Sequence, residues 1–176
     1  MIALKQIDTP IGPMHMGATD EGICLFDFTD RKNIAGIKAR VTRLLNDSFE
    51  YGEHHYFPIL EQQVREYFAG ERRVFDLSLQ LSGTDFQKTV WQSLLRIPYG
   101  QVSTYKAQSI AIGNEQAIRA MAAANGENCL EIIIPCHRVV GSNGSLTGYG
   151  GGLPRKQLLL EHERRYSDTA GQAHLF

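Results

Sequence analysis

The chain has 176 residues, 18 Lys and Arg against 19 Asp and Glu, and 43% hydrophobic residues, which suits one globular domain or two small ones. That apolar content at near-zero net charge excludes intrinsic disorder, and no periodic self-similarity marks a repeat protein. No apolar run approaches the ~20 residues of a membrane-spanning helix, and the opening MIALKQIDTP lacks a signal-peptide core.

Residues 2–8, 13–18 and 22–28 are short apolar or alternating runs separated by turn residues, the pattern of a three-stranded antiparallel meander. Residues 32–46 and 57–69 carry apolar side chains at helical spacing, and Gly70 stops the second helix. Residues 74–81 alternate again, as a last strand or a linker, and Ser82-Gly83 marks a boundary. Thr84 with Gln87 forms a capping box that opens a helix, which ends before the turn at Pro98-Tyr99-Gly100. A helix over about 104–112 stops at Gly113, and Asn114 is placed to cap another over about 115–124, the signature of a helix-turn-helix. Glu131 to Ile134 reads as a short buried, strand-like run stopped by Pro135. Residues 141–152 hold six glycines in twelve positions, so bare backbone can approach a ligand there. Pro154 opens a final helix over about 154–165.

The expected organisation is therefore an α+β chain in two units: an N-terminal α/β domain over 1–82, a mostly helical domain over 83–166, and a tail over 167–176. Residues 1–84 carry a net charge of −3 and residues 85–166 a net charge of +3, so the second unit is the one suited to a polyanion.

Three cysteines, Cys24, Cys129 and Cys136, are not a disulfide framework, and with no export signal they point to a reducing intracellular compartment. Cys136 stands beside His137, the residue types of an activated thiol. In an extended segment adjacent side chains point apart, so His137 would reach the sulfur through a water. Its other ring nitrogen needs an orienting partner, and Glu161 or Glu163 of the last helix could supply one. Cys24, His15, His54 and His55 match no zinc spacing, so no metal or cofactor is expected.

Ile134-Pro135-Cys136-His137-Arg138-Val139-Val140 resembles the active-site signature of the O6-alkylguanine-DNA alkyltransferases. Phe86 to Ile97, Val102 to Tyr105, Arg119-Ala120, Asn128, Gly148 to Leu153 and Leu158 to Glu163 follow in that family's order and spacing. The opening Asp8 to Pro13 resembles its first hairpin, so the likeness spans the chain. The resemblance implies a ribonuclease H-like N-terminal domain and a winged helix-turn-helix. It also implies repair of alkylated double-stranded DNA by a monomer in the cytoplasm, or in the nucleus of a eukaryote. The alkyl group of O6-alkylguanine, or of O4-alkylthymine, would move irreversibly to Cys136, once per molecule. His137 would act as the base through a water, Glu163 would orient it, and Tyr105 would protonate the leaving base at guanine N3. Asn128 would be the hinge tying the helix-turn-helix to the active-site segment. Arg119 would fill the space left by a flipped nucleotide. Gly150 would offer its N–H to O6 in a pocket walled by Tyr149, and the carbonyls of Cys136 and Val139 would accept from the guanine amino group. Ser103, Thr104 and Arg138 are placed with Arg119 among the substrate- and DNA-contacting residues.

The chain departs from the family pattern at Cys129, where proline is common, and at Glu131, where an apolar residue or proline is usual. Ala122 and Ala123 replace a glycine often seen in the recognition helix. Three other readings can be weighed. A non-catalytic sensor of alkylated DNA has tryptophan where this chain has Cys136. A helix-turn-helix regulator would read the major groove with long polar side chains, whereas 115–124 is mostly alanine. A cysteine hydrolase would need a direct dyad and an oxyanion hole.

Overall fold

The computed structural model describes residues 1–173. Strands β1 (Ile2–Ile7), β2 (Met14–Thr19) and β3 (Gly22–Phe28) form the antiparallel meander read from the alternation. A short strand that the sequence reading missed, β4 (Phe49–Tyr51), pairs parallel to β1 and completes a sheet in the order β3-β2-β1-β4. Helix α1 (Ile34–Leu45) covers one face through Ile37 and Val41, against Ile2, Leu4, Cys24 and Leu25. Helix α2 (Tyr56–Phe68) covers the other through Phe57, Leu60, Val64 and Tyr67. All of β3 is buried, although a half-exposed strand would alternate. A register shift at Gly17/Ala18 lets β3 accommodate one extra residue, so consecutive Cys24 and Leu25 enter the same apolar cluster.

Residues 74–81 do not form a strand; they run extended along the sheet with one isolated bridge, Leu79 to Ile23. Helix α3 (Asp85–Leu94) begins at the capping box, with Gln87 N donating to Thr84 Oγ1 at 3.1 Å and Thr84 N to Gln87 Oε1 at 3.0 Å. Strand β5 (Ser103–Thr104) leads into α4 (Tyr105–Ala111), and Gly113 adopts φ 79° as the left-handed stop. A single 3-10 turn, Glu115–Ala117, separates α4 from α5 (Ile118–Gly126). Asn114 makes no side-chain cap bond there, because the chain enters through the 3-10 turn instead of starting an α-helix at that residue. Trp91 Nε1 donates to Ala124 O at 2.8 Å and locks α3 to α5.

The run Glu131 to Ile134 is not a strand either. Ile132 takes φ 71°, a left-handed conformation rare for a β-branched residue, and the segment turns. Its start nevertheless docks on the N-terminal sheet. Phe26 N donates to Cys129 O at 2.8 Å and Glu131 N to Phe26 O at 2.7 Å, a parallel bridge on the free edge of β3. The active-site segment is thus attached to the first half of the chain, and one apolar cluster runs from Phe26 and Phe28 through Trp91 and Met121 to Leu159. Strand β6 (Val139–Val140) pairs parallel to β5. The last helix, α6 (Leu153–Ala173), runs past the expected end into the segment read as a tail; residues 174–176 lie outside the described residues. Among the described residues no helix is long and apolar enough to cross a membrane.

Thr84→Ala removes the acceptor of the capping box, so it is expected to cost about 1 kcal/mol in a denaturant melt, with no change in the slope of the transition.

Candidate active site

Cys136, His137 and Arg138 lie on one 3-10 turn after Pro135, and all three are buried. Asn128 fixes the approach to this turn. Its Oδ1 accepts from Leu130 N at 2.9 Å, and its Nδ2 donates to Ile134 O at 3.0 Å and to Cys136 Sγ at 3.3 Å. Asn125, one turn earlier on α5, donates to Cys136 O at 3.5 Å. The helix-turn-helix and the nucleophile segment are therefore joined by two asparagine side chains.

Of the two acids considered for His137, α6 brings Glu163 to it and leaves Glu161 exposed. His137 Nε2 lies 2.7 Å from Glu163 Oε1. The same carboxylate accepts from Tyr67 Oη at 2.8 Å, from Arg138 Nε at 2.8 Å and Nη2 at 2.9 Å, and from Gly100 N at 3.2 Å. Burial pushes the Glu163 carboxyl up, but the neighbouring His137 and the hydrogen bonds from His137 and Arg138 overcome this and hold it well below the usual carboxylate range. Burial lowers His137 and outweighs the pull of Glu163, so the imidazole is neutral near pH 7 and donates Nε2–H. His137 Nδ1 is then an acceptor, and it is buried without a protein partner.

Arg138 is buried. Its guanidinium forks onto Glu163 and donates to Ile97 O at 2.7 Å, so a residue read as a DNA contact is committed to the interior as a positioning residue. Ser103 and Thr104 are partly exposed but engaged: Ser103 Oγ accepts from Gln108 at 2.8 Å, and Thr104 Oγ1 caps α4 by accepting from Ala107 N at 3.0 Å. Val139 is buried in β6. Arg119 stands exposed in the first turn of α5, whose buried residues are Met121, Ala124 and Asn125.

The glycine-rich loop closes over the site. Tyr105 Oη donates to Thr147 O at 2.6 Å, and the buried ammonium of Lys156 donates to Thr147 O at 3.2 Å and Gly148 O at 3.0 Å. Tyr149 packs edge-on to Phe28, with ring centroids 6.4 Å apart. Gly150 is required by close approach: a Cβ there would lie 2.6 Å from the Arg31 guanidinium and 2.8 Å from Glu131 Oε1.

Those last two residues were not foreseen as part of the site. Arg31, from the loop after β3, reaches Asp27 Oδ2 at 2.7 Å, Asn128 O at 2.7 Å and Glu131 Oε1 at 3.2 Å. Glu131 Oε2 is 3.2 Å from Cys136 Sγ. The first half of the chain, in which the sequence showed no chemistry, thus sends a charge to within one residue of the thiol. Contacts across 100 positions leave no local sequence signal; the unusual Glu131 was the one legible sign. Burial, and then the Glu131 charge, raise the Cys136 thiol well above its ordinary value, so it rests protonated. Burial likewise pushes Cys24 up to about 12 and Cys129 up to about 11, and both lie outside this turn and away from His137 and Glu163. Among the described residues no group of three or more His, Cys, Asp or Glu could hold a metal ion.

Two family models match the chain: the ribonuclease-like domain of 6-O-methylguanine DNA methyltransferase over residues 3–81 and its DNA-binding domain over residues 85–165. A methylated-DNA–protein-cysteine methyltransferase of Mycolicibacterium paratuberculosis is 52% identical over 176 residues, covering 97% of each chain. One of Methanosarcina barkeri is 43% identical over 157 residues, covering 89% of this chain and 94% of its own. Among solved structures, the O6-methylguanine methyltransferase of Mycobacterium tuberculosis superimposes with a TM-score of 0.80 at 39% identity, covering 94% of each chain. The OGT of the same organism in complex with DNA gives 0.79 at 38% identity, over 93% of this chain and 94% of that one.

Glu163→Gln leaves His137 and Arg138 without their buried anion and is expected to cost about 3–5 kcal/mol. Because the folded carboxyl titrates below its unfolded value of about 4.3, its contribution is complete above that pH and drains away as pH falls further. Denaturation curves between neutral and acid pH should therefore steepen in the parent below about pH 4 and flatten in Glu163→Gln.

Proposed function

The chain belongs to the 6-O-methylguanine DNA methyltransferase family, and from that premise we propose how its own residues carry out direct reversal of alkylation damage in DNA. The alkyl group moves from O6 of guanine to Cys136, and the resulting thioether is not undone, so each molecule reacts once. The same chemistry serves O4-alkylthymine as a second substrate. The observation that carries this assignment is the neutral His137, held by Glu163 at 2.7 Å with Nδ1 free and one residue from a buried cysteine.

The thiol rests protonated, and the thiolate is the nucleophile, so a base is needed. His137 Nδ1 takes the proton through a bridging water, and Glu163 stabilises the imidazolium that forms. The departing base carries the electron pair of the broken C–O6 bond. Tyr105, whose proton rests on Thr147 O, turns it toward guanine N3. The Gly150 N–H receives O6, Tyr149 walls the pocket, and the carbonyls of Cys136 and Val139 recognise the amino group.

The O6 atom is inside a duplex and Cys136 is 2% exposed, so the nucleotide must leave the stack to react. Helix α5 is slim enough for a minor groove about 6 Å wide, and exposed Arg119 is placed to occupy the gap left behind. Ser103 and Thr104 stand at the start of α4, where their backbone can meet the phosphates while their side chains keep their internal bonds. The two-unit division at 82/83 separates the DNA-reading half from the sheet that supports it. The free cysteines fit action in a reducing compartment beside the genome, as a monomer.

Cys136→Ser should abolish transfer of a labelled methyl group while binding to the same oligonucleotide stays within about twofold. Arg119→Ala should slow repair of duplex DNA by about tenfold or more, yet leave reaction with a free O6-alkylguanine base close to the parent rate. Equal losses on both substrates would remove the space-filling role from Arg119.

A further inference from the structure

The hydrogen-bond partners of Cys136 Sγ are Asn128 and Glu131, not His137. Asn128 Nδ2 can only donate to the sulfur. Glu131 Oε2, at 3.2 Å, is placed to accept the S–H. The second Glu131 oxygen faces Arg31 at 3.2 Å, and Arg31 in turn holds Asp27 at 2.7 Å. All three charged residues are buried, so one guanidinium stands between two carboxylates. A dry cluster with that imbalance resolves it by keeping a proton on one acid. Asp27 is pushed up to about 8, by burial first and by Glu131 second, and so holds the proton at neutral pH. Arg31 then balances Glu131, which keeps an ionised oxygen against the thiol. Burial holds Glu131 above the ordinary carboxylate value, and Arg31, the Cys136 thiol, Tyr149 of the glycine-rich loop and Lys156 of α6 limit that rise by favouring its charged form.

We propose that Glu131 is a direct proton acceptor for the Cys136 thiol, a second route beside the water-bridged path to His137. The proposal rests on the reading of Cys136 as the nucleophile. In the step, the S–H proton passes to Glu131 Oε2. The sulfur lone pair forms the S–C bond as the C–O6 bond breaks, and that bond's electron pair leaves with the base. Tyr105 protonates the base, and solvent restores the proton of Tyr105. The products are a neutral thioether, neutral guanine and a protonated Glu131, with one proton taken up from solvent.

A carboxylate beside a thiol has two opposed effects. As a spectator it repels the thiolate and slows attack. As an acceptor it loses its own charge at the moment the sulfur gains one, so the buried pair carries the same net charge before and after the transfer. The proton then stays inside the site, and the rate is nearly independent of bulk pH.

The test is the single-turnover rate of methyl transfer from an O6-methylguanine oligonucleotide, measured from about pH 6 to about pH 7.5, where Asp27 keeps its proton, for the parent and for Glu131→Gln. The parent should be nearly level. Glu131→Gln should be about 100-fold slower at pH 7, where only the water-bridged His137 path remains, and should climb by up to about tenfold per pH unit as release of the thiol proton to solvent overtakes that path. A Glu131→Gln variant with the parent's rate and profile would assign the whole transfer to His137 and overturn the proposal. A faster variant at neutral pH would make Glu131 a brake, and a uniform loss with the parent's level profile would make it structural; either also overturns it. If the unpaired Arg31 prevents folding, Arg31→Met/Glu131→Gln removes both charges together and must show the same steep profile. Absence of methyl on Cys136 in the parent would instead sink the nucleophile assignment itself.

Discussion

The Glu163 carboxylate lies at the centre of five hydrogen bonds from four residues, Tyr67, Gly100, His137 and Arg138, drawn from α2, the turn before β5 and the active-site turn. Burying that charge is tolerable only because both oxygens are saturated and a guanidinium lies against them. The arrangement selects the His137 tautomer, since a neutral imidazole giving Nε2–H to Glu163 must leave Nδ1 as the acceptor. It also holds the 3-10 turn in place, because two of that turn's three side chains end on one anion. The position of Cys136 follows from theirs.

On the other side of the sulfur lies a second buried charge cluster, Asp27, Arg31 and Glu131, built mainly from the N-terminal sheet. The parallel bridge from β3 to residues 129–131 puts it there, and the same bridge ties the two halves together. The sulfur thus sits between an ion cluster that orients a base and one that faces it with a carboxylate. Burial and the Glu131 carboxylate favour the thiol over the thiolate at rest. For a protein that can react once, a thiol kept protonated until substrate arrives is protected from stray electrophiles and oxidants.

Much of this was legible in local patterns. The capping box at Thr84, the left-handed stop at Gly113 and the helical stripes of α1 and α2 are short-range signals, and local chemistry decides them. The Cys136-His137 pair and the need for an acid on the last helix were readable from residue types; the choice of Glu163 over Glu161 depended on the resemblance. The errors have a common cause. Glu131 to Ile134 has strand composition, but Asn128 and the strained Ile132 turn it toward the active site. For residues 74–81, read as a strand or a linker, the single bridge to the sheet decides for the linker. Arg138 was placed among the DNA contacts with the resemblance, and nothing within a few residues announces a buried carboxylate 25 positions on. Arg31 was invisible for the same reason, with its partners beside the thiol, Asn128 and Glu131, about 100 positions away.

In the proposed reaction one buried cysteine accepts the alkyl group and keeps it. The most direct measurement is the intact mass of the protein after mixing with an oligonucleotide that carries O6-methylguanine, followed by peptide mapping. A stoichiometric gain of a single methyl group, located on Cys136 and absent from Cys24 and Cys129, is the expected result. An unchanged mass with DNA binding intact, or a methyl group on either of the other cysteines, would contradict it.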